Sequence, residues 1–240
     1  MIKNPLDEIN IFPPFDGYPK EGIAFLKQLK KNNSREWFAK HKQDYEDFVK
    51  LPMQSIVAEL SPMMKSFASD FVVDPKRSLF RIYRDTRFSK NKTPYKTHVA
   101  AIFQPTKNWK ASAGLYLHIE PGEIYLGGGM YMPSSENLKN IRNAIVNYPK
   151  KYLTIVQSKD FKKYFKNIEG EKLRRVPQGF SSDHEMAEWL KMRQFFISYT
   201  LPETECLKKN FPDTVCKIFK PMMPLVRFLN EAVDKSLINK

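Results

Sequence analysis

Between residues 78 and 131 the chain changes its period. Four short segments, SLFRIYRDTRF, HVAAIF, AGLYLHI and EIYLGGGMY, are rich in β-branched and aromatic residues and mostly alternate apolar with polar side chains. That is the period of a half-buried strand. On either side the spacing returns to three and four. Ile23, Leu26 and Leu29 mark a helix over 19–32, and Trp37, His41, Tyr45 and Phe48, with Phe38 alongside, make one aromatic stripe on a second. Asn33 is expected to cap that second helix with Glu36 as its reciprocal partner, and Pro52 suits the first turn of a third.

After the strand block, Ser134 or Ser135 can cap a helix holding Leu138, Ile141, Ile145 and Tyr148, which Pro149 ends. Shorter helices are expected around 149–157, 158–166 and 183–197, with a long polar loop over 170–183. A last helical region runs from about 203 to 235, interrupted by Pro212, Pro221 and Pro224. Strands between two helical blocks predict an α+β fold: an antiparallel β-meander of about four strands, roughly 78–131, packed on one face by the flanking N- and C-terminal helices. With 240 residues, 42% of them hydrophobic, the chain can bury a core without disulfides. It shows no repeat or low-complexity tract, and residues 1–240 fit one large domain or two small ones.

EPGE at 120–123 reads as a tight turn, Pro121 fixing φ and Gly122 supplying a positive one. Closing the hairpin there pairs Ile119 with Ile124, Leu117 with Leu126, His118 with Tyr125 and Tyr116 with Gly127. Because L-Pro fits poorly in the primed turns of two-residue hairpins, a bulge shifting the register by one stays open. In the unshifted register one sheet face is apolar. The other gathers Tyr116, His118, Glu120, Tyr125 and Tyr131, with Gly127 and Gly129 leaving room for a ligand or a large ring.

The first strand carries most of the charge. RIYRDTRFSKNKTPYKTH, residues 81–98, holds six Arg or Lys against the single carboxylate of Asp85. Alternation places Arg81, Tyr83, Asp85 and Arg87 on one face, and Phe80, Ile82, Arg84, Thr86 and Phe88 on the other. Arg84 is thereby expected to be partly buried, with Glu36 or Asp85 as its partner. The formal charge of the whole chain is +14, which favours anionic partners, whether small molecules or nucleic acid.

Arg81-x-x-Arg84-Asp85-x-Arg87-Phe88 followed by Asn91-Lys92-x-x-Tyr95 resembles the signature of a bacterial and fungal family of conserved hypothetical proteins, domain of unknown function 2461. NNSREWFAKHKQDYE, the HIEPGE to GGGMY stretch, RRVPQGF and EWLKMRQFF are similar to that family as well, so the resemblance spans about 20–232. It implies a single soluble domain and carries no activity, cofactor or partner.

The residues themselves point to binding of a phosphate-bearing or other anionic ligand by Arg81, Arg87, Lys90, Lys92 and Lys96, with Gly127, Gly129 and Tyr131 beside them. Asp85, Tyr95, His98, His118 and Glu120 are the groups able to move protons. They support an alternative, an enzyme that acts on a small anionic substrate by Arg-clamped proton or phosphoryl transfer. His118 and Glu120, joined by Asp85 or His98, also match a two-His-one-carboxylate set. Packing of His118 on Tyr125 accounts for the same residues, so no metal is assigned. A third reading makes the arginine motif purely structural, with Arg84, Asn33 and Trp37 as folding determinants.

Cys206 and Cys216 lack metal-ligand spacing, and no P-loop, HExxH or GxGxxG is present. No residue pattern specifies a cofactor or an oligomeric state. The opening MIKNPLDEINIF carries early acids and no long apolar run, and no stretch approaches eighteen apolar residues. A cytoplasmic protein without a membrane span is the expectation.

Overall fold

A computed structural model describes residues 12–106 and 112–234. The N-terminal stretch read as lacking a targeting signal falls, up to residue 11, outside them. No helix among the described residues is long and apolar enough to cross a membrane.

The helical lead-in comprises α1 (Lys20–Lys31), α2 (Arg35–Lys40), α3 (Lys42–Tyr45), a π-helical turn (Glu46–Lys50) and α4 (Leu51–Ala68). Strands β1 (Phe71–Val72), β2 (Val99–Pro105), β3 (Gly114–Glu120) and β4 (Glu123–Met130) follow. Then come α5 (Ser135–Asn147), α6 (Pro149–Val156), α7 (Lys159–Tyr164), α8 (Ala187–Leu190), β5 (Phe195–Pro202) and α9 (Phe211–Val233). The architecture is α+β. Its sheet has five antiparallel strands in the order β1-β2-β3-β4-β5.

The β3–β4 register is unshifted: Ile119 faces Ile124, Leu117 faces Leu126, His118 faces Tyr125 and Tyr116 faces Gly127. Gly122 takes φ +103° at the turn, a value L side chains rarely adopt. Leu115, Leu117, Ile119, Ile124 and Leu126 are wholly buried on one face. There α9 covers them with an apolar stripe that includes Phe219, Met222 and Val226, part of one core running from Phe15 to Val233.

Two strands differ from the expectation. Residues 78–88 form no continuous strand; their ladder pairing with the sheet is the Leu79–Ala101 bridge, after which they leave it to bridge Tyr83 with Tyr95. Phe71 and Val72 pair with Pro105 and Gln104 on the same edge of β2, so the arriving chain meets only residues 99–103 there. The fifth strand begins within the last residues of the helix expected over 183–197 and runs on to Pro202. The helical spacing there yields only the single turn of α8, and pairing along the whole of β4 outweighs local preference for FFISYTLP. Pro221 and Pro224 also fail to break α9. The carbonyls that lose an intrahelical donor belong to Lys217 and Lys220, both exposed residues, so the loss falls on the solvent side of the helix.

Ser134 caps α5 as expected, but Ser34 rather than Asn33 caps α2, accepting from the Trp37 N–H at 3.2 Å. Asn33 instead clamps the backbone of Tyr95. Its Nδ2 donates to the Tyr95 carbonyl and its Oδ1 accepts from the Tyr95 N–H, both at 3.0 Å. The side-chain amide thus completes the pairing that a neighbouring strand would supply, and it pins the 81–96 excursion to the start of α2.

Two predictions follow from these contacts. A Cβ at Gly129 would lie 2.3 Å from the Phe195 carbonyl oxygen at φ +133°, whereas one at Gly128 meets only the flexible Met222 side chain, at 2.8 Å. Gly128→Ala should therefore cost about 1–3 kcal/mol, and Gly129→Ala distinctly more, as read by the midpoints of urea unfolding. Equal losses would contradict the assignment. Asn33→Ala leaves a donor and an acceptor of Tyr95 unpaired and should cost roughly 1–3 kcal/mol. Asn33→Asp, which keeps only the acceptor, should rescue little of that loss in the same assay.

Candidate functional site

Pairing between β2 and β3 sets Val99 opposite Ile119 and Ala100 opposite His118. Alternation then carries His98, Ala100, His118 and Glu120 onto the face away from α9. Ala100 is the small residue across from His118, so two imidazoles fit where larger side chains would collide. The rings of His98 and His118 stack with centroids 4.1 Å apart and 19° between planes. Tyr116, on the same strand face, reaches Nδ1 of His118 with its hydroxyl at 3.2 Å. Nε2 of His118 lies 3.7 Å from a Glu120 carboxylate oxygen, beyond hydrogen-bond reach. It is buried with no hydrogen-bond partner among the described residues.

Burial holds both imidazoles neutral at physiological pH. His118 is pushed down to about 4 by desolvation. His98 is also pushed to about 4, by desolvation first, with His118 and Lys96 adding to it. The His118–Glu120 contact is therefore not an ion pair at neutral pH. Burial likewise raises the Tyr116 phenol to about 12, which keeps the hydroxyl neutral, able to donate to Nδ1 or to accept from it according to the His118 tautomer.

The other proton-transfer candidates lie elsewhere. Asp85 takes the Arg87 guanidinium on both oxygens, at 3.0 and 2.7 Å, out in solvent. That contact holds its carboxyl at about 2. The Tyr95 ring is buried and stacks on Phe38 with centroids 4.2 Å apart, and burial raises its phenol. Tyr131 is exposed and packs edge-on against Phe196. The space beside Gly127 is taken by the Tyr125 ring, whose Cε1 would lie 3.1 Å from an added Cβ.

The basic run divides among several surroundings. Arg84 donates to the carbonyl and hydroxyl of Thr93, so neither Glu36 nor Asp85 is its partner. Lys92 donates to the Thr86 carbonyl at 2.9 Å and Lys96 to the Arg81 carbonyl at 2.7 Å. Both cations thus turn back onto their own loop. Lys90 is exposed, and Phe88, expected on the apolar face, is 95% exposed at the tip.

Arg81 goes to a different place, a cleft of about 220 Å³ between the end of the helical lead-in and residues 75–83. Lys42, Lys50 and Lys76 share it with Arg81, and Phe38, Tyr45, Phe80 and Tyr83 supply aromatic walls. Its one carboxylate, Glu46, is bound to Lys50 at 2.6 Å. Lys42, Lys76 and Arg81 make no ion pair among the described residues. The three lysines escaped the sequence reading because they lie on helical and loop segments whose relation to Arg81 only the tertiary fold creates. The cleft adjoins the histidine pair: Phe80 lines it and packs edge-on against Tyr116 at 6.0 Å.

A comparison with curated proteins finds no match. A family model, that of the conserved hypothetical proteins DUF2461, matches residues 21–228. That range takes in both the cleft and the histidine pair, and the chain belongs to this family of unknown function.

Proposed function

We propose that the protein binds a small phosphate-bearing or other anionic ligand in the cleft lined by Lys42, Lys50, Lys76 and Arg81. The observation that carries this reading is the charge imbalance: four cations line one half-open cleft with one carboxylate, itself already paired. Like charges held together destabilise a fold unless a counter-charge joins them. A guanidinium offers a planar fork suited to phosphate or carboxylate, and lysines add mobile point charges around it. Burial keeps the Tyr45 phenol protonated, so it serves as a further donor.

The size of the cleft favours a compact ligand. About 220 Å³ accommodates a phosphate group with a small organic body, since sites for drug-sized ligands run to roughly 300–1,000 Å³. A nucleic-acid strand needs an open basic stripe with stacking rings along it. Here Arg87, Lys92 and Lys96, which would extend such a stripe, are engaged with Asp85, Thr86 and Arg81.

The test is a calorimetric titration with pyrophosphate, nucleoside monophosphates, sugar phosphates and a single-stranded oligonucleotide. One of the small anions should bind with one-to-one stoichiometry. Arg81→Ala and Lys76→Ala should each weaken it roughly 10- to 100-fold, the worth of a charge-assisted hydrogen bond. Arg87→Ala should leave affinity unchanged. Tighter binding of the oligonucleotide, with steep salt dependence, would point to nucleic acid instead. Binding that ignores the cleft variants, or no binding by any of these probes, would remove the proposal.

A further inference from the structure

His98, His118 and Glu120 each bring one ligand-type atom to a common place, all within 4.8 Å of one another. Three features there are hard to explain by packing alone. The first is the unpartnered Nε2 of His118, buried beside a carboxylate that is too distant to bond it. Leaving a buried polar atom without a partner is costly, and a protein ligand, water or metal removes that cost. The second is the Tyr116 hydroxyl on the opposite ring nitrogen, 3.2 Å from Nδ1. A metal-bound imidazole donates the N–H of the nitrogen that does not ligate, and the Tyr116 hydroxyl oxygen is placed to accept it from Nδ1. The third is Ala100, buried opposite His118, which gives the two rings their shared space.

We propose that His98, His118 and Glu120 bind one divalent first-row transition-metal ion of the Zn²⁺ class, with His118 ligating through Nε2. Two nitrogens and one carboxylate oxygen suit a borderline ion better than Mg²⁺ or Ca²⁺, which prefer all-oxygen surroundings. Three protein ligands leave a tetrahedral ion one position for water or an exogenous ligand, the pattern of reactive rather than purely structural sites. The donors must close up on loading, because Zn–N bonds near 2.0–2.1 Å place tetrahedral ligand atoms roughly 3.4 Å apart. His98 is the ligand that must shift, its ring turning out of the stack on His118 so that both in-plane lone pairs reach one point. It sits in the loop immediately before β2, while His118 is fixed within β3 by its neighbours. Lys96 is the nearby cation that opposes loading, but its ammonium is drawn to the Arg81 carbonyl and lies over the Phe80 ring at 5.1 Å.

This assignment is independent of anion binding in the cleft, and its test uses no anion. Full-length protein freed of metal by a chelator is titrated with Zn²⁺ by calorimetry and with Co²⁺ by visible absorption. One ion per chain is expected, with a rise in melting temperature on loading. His98→Ala, His118→Ala and Glu120→Gln should each raise Kd on the order of 100-fold and abolish the thermal gain. Asp85→Asn, which removes the other carboxylate the sequence offered, should leave Kd within about twofold, since Asp85 is held by Arg87. Melting curves of the metal-free variants show which of them fold. If His118→Ala does not, the partly exposed Glu120 and the loop residue His98 still decide the matter. No saturable binding up to about 1 mM, or affinity unchanged in both His98→Ala and Glu120→Gln, overturns the proposal.

Discussion

The turn at Pro121 and Gly122 governs the rest of the molecule, because it fixes which side of the sheet each residue of β3 and β4 faces. A slip of one residue would turn Leu117, Ile119, Ile124 and Leu126 away from α9 and bring His118 and Tyr125 into the core. The turn is held from outside as well as by its own geometry. Its Gly122 N–H donates to Glu203 at 2.7 Å, and Glu203 in turn takes Lys27 of α1 at 3.1 Å. These contacts draw the Glu203 carboxyl below its ordinary value, the Gly122 hydrogen bond contributing most. Three separate parts of the chain thus meet at the hairpin end, and every side chain of the polar face inherits its direction from that junction.

On the α9 side the same register puts Gly128 beneath Met222, where an added Cβ would lie 2.8 Å from the sulfur. The missing side chain lets the helix settle close on the middle of β4. On the other side the consequence is chemical. Positions i and i+2 of β3 carry His118 and Glu120 outward, and antiparallel pairing with β2 delivers His98 beside them from a segment twenty residues earlier. Phe80 and Tyr116 then connect this trio to the basic cleft through ring contact and a hydrogen bond. The two imidazoles, kept neutral by burial first and in His98 by the nearby charge of Lys96 as well, thus sit beside a strongly positive cleft, with the Lys96 ammonium held at the Arg81 carbonyl.

The hairpin was legible in the sequence because its apolar pairs agree with each other in only one register, whatever the rest of the chain does. His118 and Glu120 were legible for the same reason, being two apart on a strand of known facing. What was not legible depended on competition between distant segments. Nothing in FFISYTLP says that the outer edge of β4 is vacant, and nothing in SLFRIYRDTRF says that β1 already fills part of β2. Asn33 read as a helix cap because capping is what a local sequence can express. Its bond to Tyr95 spans 62 residues. The partner of Arg84 was sought among carboxylates, yet a loop that doubles back supplies a carbonyl and a hydroxyl nine residues away.

That doubling back also explains the fate of the basic run. A continuous strand would have set Arg81 and Arg87 side by side on the sheet face, with the lysines beyond them. Instead the chain leaves β2 after Phe80, and the Arg84 N–H meets the Pro94 carbonyl on its return. A chain reversing on itself brings its cations near its own carbonyls and near Asp85, so Arg84, Arg87, Lys92 and Lys96 find acceptors locally. Arg81 precedes the reversal and faces the helices, where Lys42 and Lys76 carry the same sign and no carboxylate is spare. Charge that a loop absorbs within itself leaves little field to act on a ligand. Charge stranded between two elements keeps its field, and that difference separates Arg81 from Arg84, Arg87, Lys92 and Lys96.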